Sequence, residues 1–181
     1  MKKKIMVLVI GLIVAIGFYI NYVNEENIKV SQQWDLTDEQ MSDISLKGIS
    51  QDVLVVLEQG DKNSVSITGE IPKSFGEKLK EIQPNKNKML ISFVTDIGVS
   101  VAKNSKEKLI VTVQSKNTDV LKKLNIQMNK GNVVVKVPNN FERNYDLVTN
   151  QGQVNNSKQN KQTSTGQIKV ELGFGNIDII E

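Results

Sequence analysis

Beyond residue 40 most of the chain alternates between apolar and polar positions. Ile44 and Leu46 form one such run; Val53, Val55 and Leu57 form another, followed by Val65 and Ile67. Met89, Ile91 and Phe93 alternate, as do Val99 and Val101, and Leu109, Val111 and Val113. Leu124, Ile126 and Met128, then Val133, Val135 and Val137, and finally Ile168, Val170 and Leu172 complete the series. A period of two is that of a strand with one buried face, and Asp, Asn, Gly and Lys punctuate the ends. The pattern predicts a domain built almost wholly of strands. Two stretches depart from it. Thr37-Asp38-Glu39-Gln40 fits a capping box and predicts one helical turn. Ser74-Phe75-Gly76-Glu77 fits the same box, and Phe75, Leu79 and Ile82 then share one helix face. This predicts a short amphipathic helix from Phe75 to Ile82, closed by Pro84.

The runs repeat one another. Leu124-x-Ile126-x-Met128-x-x-Gly131-Asn132-Val133 recurs as Tyr145-x-Leu147-x-Thr149-x-x-Gly152-Gln153-Val154, and again as Ile168-x-Val170-x-Leu172-x-x-Gly175-Asn176-Ile177. An earlier copy, Ile44-x-Leu46-x-Gly48-x-x-Gln51-Asp52-Val53, has Gln51 in place of the corner glycine. Glycine suits a corner that needs positive φ, and Asn or Asp can bond the turning backbone. Strand, corner and strand at a near-constant interval suit stacked coils with a continuous inner core. The expectation is an all-β fold, a single-stranded β-solenoid (β-helix-like) with one short helix. An antiparallel sandwich is the alternative. Asn155 to Thr165 contains no apolar residue and is expected to be a long solvated loop.

The N-terminus is different in kind. Ile5 to Ile20 carries no charge, and Asn21, Tyr22 and Val23 extend it to a length that spans roughly 30 Å as a helix. Lys2, Lys3 and Lys4 precede it; Glu25 and Glu26 follow. Positive charge stays on the cytoplasmic side, so this reads as a transmembrane signal anchor with the C-terminal domain outside. Tyr19 and Tyr22 sit where an interfacial aromatic belt falls. Ala15-Ile16-Gly17 resembles a signal-peptide cleavage site but lies within the apolar run, which favours the uncleaved anchor. The expected organisation is a cytoplasmic N-terminus (1–4), a transmembrane helix (5–23), a polar stalk (24–33) and an extracytoplasmic β-repeat domain (34–181).

Charge and composition change the picture in three places. A net charge of +3 suggests a polyanion partner, yet three of the 23 basic residues are Lys2–Lys4 and the remainder equal the 20 acidic residues in number. Arg143 is the one arginine, which argues against specific nucleic-acid recognition. Cysteine and histidine are absent, removing disulfides, thiolate metal sites and the commonest general base. Asp35, Asp38, Glu39 and Asp43 are clustered, but without EF-hand or calcium β-roll spacing; helix capping accounts for them better. Trp34 could stack on a sugar, or cover the end of the first coil. Lys103, Lys106, Lys108, Lys116, Lys122 and Lys123 make a loosely basic stretch that a solvated strand face explains. No phosphate loop, dinucleotide fingerprint or aspartic-protease signature is present; Val94-Thr95-Asp96-Ile97-Gly98 does not match the last. The sequence therefore nominates no catalytic, cofactor-binding or metal-ligating residue, and no cofactor.

With its Gly-Asn-Val/Ile corner, flanking alternation, opening Trp34 and N-terminal anchor, the chain resembles the bacterial putative-adhesin β-strand-repeat family over about Trp34 to Glu181. The resemblance implies a β-solenoid-like fold and an envelope location, with no catalytic residue to carry over. The functional expectation is a non-enzymatic, membrane-anchored domain that presents a binding surface to an envelope protein or cell-wall polymer, adhesin-like or accessory to an envelope-stress system. The alternatives are a glycan-acting enzyme on the same scaffold and a passive structural spacer.

Overall fold

The computed structural model describes residues 26–94, 107–139, 141–158 and 166–181. The apolar run 5–23, the Val99/Val101 alternation, Lys103 and Lys106 lie outside the described residues. No helix among the described residues is long and apolar enough to cross a membrane.

Among the described residues, twelve strands form two sheets. They are β1 (Asn27–Asp35), β2 (Asp43–Ile49), β3 (Val53–Gln59), β4 (Ser64–Pro72), β5 (Met89–Ser92), β6 (Leu109–Ser115), β7 (Lys123–Lys130), β8 (Val133–Lys136), β9 (Asn144–Gln151), β10 (Val154–Asn156), β11 (Gln167–Phe174) and β12 (Ile177–Ile180). The seven-stranded sheet has the order β1-β4-β6-β3-β8-β12-β10, and the five-stranded sheet β5-β2-β7-β11-β9. Helices α1 (Asp38–Met41) and α2 (Lys73–Glu81) and a 3₁₀ turn (Thr118–Val120) complete the fold.

Each repeat found in the sequence is one rung: a strand in the smaller sheet, a corner, and a strand in the larger sheet. The rungs stack in parallel register, so equivalent side chains form columns through a shared core. Ile44, Leu124 and Ile168 stand side by side, as do Leu46, Ile126 and Val170. Across the core, Val53, Val133 and Ile177 do the same. All are buried. Burial of one such aliphatic side chain contributes about 1.5–3 kcal/mol, so the columns supply much of the stability.

The single-stranded solenoid is not what forms. In a solenoid each coil lies on its successor in sequence. Here β11 and β12 insert between β7/β8 and β9/β10, and the rung β2/β3 lies directly against β7/β8. The larger sheet is mixed, because β4 runs antiparallel to both β1 and β6. The physical reason is that the corner fixes the two strands within a rung but not which rung lies beside it. Matching side-chain volumes and connection lengths decide that, and the chain reverses through Gly60–Asn63 into β4 instead of closing another coil.

Three local expectations also change. Residues 24–33 were expected as a stalk, but Asn27–Asp35 is a strand paired along its whole length with β4. Ile28, Val30 and Trp34 carry the period of two there, and polar Gln32 interrupts it. Ser74 makes no capping box: β4 passes straight into α2 at Pro72, whose φ of −53° already suits a helix start, and no side chain caps it. Asn155 and Asn156, expected in a loop, belong to β10, while residues 159–165 lie outside the described residues. The capping box at Thr37 does form. Thr37 Oγ1 accepts from Gln40 N at 3.3 Å, and Gln40 Oε1 accepts from Thr37 N at 3.0 Å. In the first repeat, a bulge at Gly48 (φ 75°) shifts the register so that Ile49, not residue 48, stands beside Met128.

Candidate binding surface

The side chains that could meet a partner are set by the same stacking. In the larger sheet, residues between the buried positions point outward. Ile110, Leu54 and Val134 are neighbours in register on β6, β3 and β8. Thr112, Val56 and Lys136 form the next row. Ile110 is 38% exposed; Leu54, Val56 and Val134 are half-buried. The result is an apolar stripe across three central strands of an outer sheet face. Thr68 bounds it on the β4 side and Asp178 on the β12 side. Alternation alone did not reveal it. Val53–Leu57 is apolar at every position, and such a run reads equally as a strand buried on both faces.

The corners form a second ordered feature. Asp52 Oδ1 accepts from Asn132 N at 2.8 Å, Asn132 Oδ1 from Asn176 N at 3.0 Å, and Asn176 Oδ1 from Gln153 N at 2.9 Å. Backbone bonds run beside this ladder, from Leu109 N to Asp52 O, Val53 N to Asn132 O, Val133 N to Asn176 O and Ile177 N to Gln153 O, all at 2.8–2.9 Å. Asp52 and Asn132, 80 residues apart, are therefore direct neighbours. The ladder saturates turn donors that would otherwise lack a partner, so its role is structural.

The residues singled out in the sequence do not assemble into one site. Trp34 is buried on β1 and donates Nε1–H to Ile82 O at 3.0 Å. It closes the outer edge of the larger sheet and offers no open ring face for a sugar. Helix α2 completes that end: Gly76 packs so closely on Ile28 that a Cβ would overlap it, and Phe75 meets Phe93 edge-on at 5.5 Å. The four acidic residues divide among elements. Asp38 and Glu39 lie in the first turn of α1, Asp43 begins β2, and Asp35 ends β1 against Lys62 Nζ at 2.8 Å. An open groove of about 780 Å³ gathers Asp38, Glu39 and Asp119 with Lys86 and Lys122. The two lysines offset all but one of the three acidic charges there, and no group of acidic residues able to hold a metal is found among the described residues. Lys108 sits at the corner end of β6, whereas Lys116, Lys122 and Lys123 lie at the opposite end, so the basic stretch is not one face.

Two surface groups are electrostatically tuned. The Lys62 ammonium, with Gln33 Nε2 donating at 3.1 Å, holds the Asp35 carboxyl below its usual range. Glu171, 2.7 Å from Lys169 Nζ, raises the lysine. A depressed carboxylate stabilises the fold above its unfolded pKa, and that contribution is lost as pH falls through the folded value. Lys62→Met should therefore flatten the acid limb of the stability curve below about pH 4. Urea midpoints measured across that limb check it; an unchanged limb means that the pair adds nothing in solution.

No protein family matches the chain by its sequence profile, and no curated protein matches it. Similar solved structures exist. One, described as a "putative cell adhesion protein" from Clostridium sporogenes, is 13% identical with a TM-score of 0.40, over 84% of this chain and 99% of that one. A "putative adhesin" from Parabacteroides distasonis is 15% identical with a TM-score of 0.39, over 86% of this chain but 54% of that one. A "putative adhesin" from Bacteroides fragilis is 13% identical with a TM-score of 0.35, over 84% and 97%.

Proposed function

We propose that the chain is a non-enzymatic, membrane-tethered module whose β domain stands on the outer side of the plasma membrane and binds another envelope component. The tether is read from the uncharged run 5–23 between Lys2–Lys4 and Glu25/Glu26. The observation that carries the binding role is the stripe of Ile110, Leu54 and Val134, with Val56 beside it. Apolar side chains in register on a rigid sheet form a flat, preorganised contact that costs little ordering entropy on binding.

The test uses the full chain in detergent as bait, against solubilised membranes and against isolated cell wall. Specific retention of a membrane protein supports a complex-forming role; retention on wall that survives salt supports apolar contact with the polymer. Replacing both Ile110 and Leu54 with serine should lower retention about tenfold, as the loss of central apolar contacts does at other interfaces. Equal retention by bait and double variant would remove the stripe from the account.

A further inference from the structure

The end of the domain from which the N-terminal segment departs is fixed by strand direction. Two antiparallel steps, β1 to β4 and β4 to β6, make β1 parallel to β6 and hence to β3, β8, β12 and β10. In register, Val30 faces Gly69, and Gly69 lies against Leu109. Leu109 is level with Val53, which is level with Val133. Asn27, the first residue of β1, thus lies just beyond the corner row of Asp52, Asn132, Asn176 and Gln153. Glu26 is pinned there, its carbonyl accepting from Lys73 N at 3.0 Å. Only Asn24 and Glu25 separate Glu26 from Val23, a reach of at most about 11 Å.

The same end carries the two most exposed large apolar side chains of the described structure. Phe174, at the corner of the β11/β12 rung, is 55% exposed, and Val94, just beyond β5, is 57% exposed. Val154, which opens β10, is 40% exposed although it continues the buried column of Val53, Val133 and Ile177. Among the described residues, charges on this edge balance: Lys29, Lys73, Lys108 and Lys130 are accompanied by Glu26, Asp52, Glu70 and Glu107.

We infer that the corner row is a lipid-facing edge that rests on the outer leaflet, with Phe174 and Val94 in its interfacial layer. The inference builds on the tether reading above, since a short connection leaves this edge facing the bilayer. Phenylalanine and valine at a headgroup boundary gain by leaving water, as on an interfacial helix. Because the described residues of the edge carry no net charge, the contact is apolar and does not depend on anionic lipid. The docking would fix the orientation of the domain, with the larger sheet standing away from the membrane and its stripe near the base.

The absence of cysteine makes the experiment clean, because one introduced thiol is the sole labelling site. The full chain is reconstituted into phosphatidylcholine vesicles that contain lipid with a nitroxide near the headgroup end of the acyl chain. Phe174→Cys and Val94→Cys carry an environment-sensitive fluorophore; Asp61→Cys, in the turn at the opposite end, is the reference. Quenching of about twofold is expected at 174 and 94 and none at 61, unchanged when anionic lipid is added. Alkaline extraction of the same vesicles reports on the tether. Protein retained in the bilayer with all three labels equally unquenched would overturn the docking edge and leave the tether standing. Protein released by alkali would overturn the tether, and the edge with it.

Discussion

Gly175→Ala should destabilise the protein by roughly 3–5 kcal/mol, the sum of a strained backbone and a steric overlap. Gly175 has φ +133°, which L side chains rarely adopt. It also sits between two other corners. A Cβ there would overlap the carbonyl oxygen of Gly131, and the carbonyl of Gly175 itself is covered by Gly152 and accepts from Thr149 Oγ1 at 3.0 Å. The nearest obstacle is the Gly131 backbone, so no side-chain rotamer relieves it. The corner would have to open, releasing the bonds from Gly131 N to Phe174 O and from Gly175 N to Gln151 O. Gly60→Ala is the contrast: its new methyl meets the Gln114 side chain from Cγ outward, not backbone, so that side chain can swing aside and the cost should stay below about 1 kcal/mol. Urea unfolding of the two variants separates these outcomes, and the melting temperature of Gly175→Ala should fall by about 10 °C. If the two variants melt together, the close stacking of the corners is wrong.

The glycine corner was legible because it is local: three residues fix the turn, and their recurrence marks equivalent places in equivalent rungs. The strands were legible for the same reason. The order of the rungs was not, since every unit has the same corner and nearly the same columns. One signal was present and unread. The β9/β10 unit has Gln153 for Asn, and its column positions include Thr149 and Asn156, where neighbouring rungs have Leu172 and Ile179. A rung with polar residues at core-facing positions belongs at an end, and there the fold places it. The binding stripe was illegible for another reason. Whether Leu54 or Val134 faces solvent depends on what lies over the sheet, and no residue in either strand encodes that. The Ser74 capping box failed because a capping motif matters only where the chain enters the helix from a free loop; here a strand leads directly into Pro72.

Arg143→Met should cost roughly 2–4 kcal/mol and loosen one end of the stack before the rest. The sequence marked Arg143 only as the single arginine, and the fold explains its place. Buried just before β9, its guanidinium donates to Leu121 O at 3.3 Å, Thr118 O at 2.6 Å and Glu142 O at 2.6 Å, and it lies 4.5 Å over the ring of Phe141. Thr118 and Leu121 belong to the 3₁₀ turn and the residue after it, which lead into β7. One side chain thus ties the outermost rung to the approach of an inner one. Methionine keeps the stem but leaves three carbonyls to find other donors. Lysine keeps the charge, yet a single ammonium cannot reproduce a planar fork, so Arg143→Lys should recover less than half of the loss. Asp119 is a weak contributor: it lies 3.7 Å away with its side chain largely in water, so Asp119→Asn should cost below about 0.5 kcal/mol. Hydrogen exchange distinguishes this lock from general core stability. In Arg143→Met, protection should fall first in β9 and β10, while β3 and β8 keep theirs. A uniform loss across both sheets would mean that the rungs unfold as one unit and that Arg143 secures no separate end.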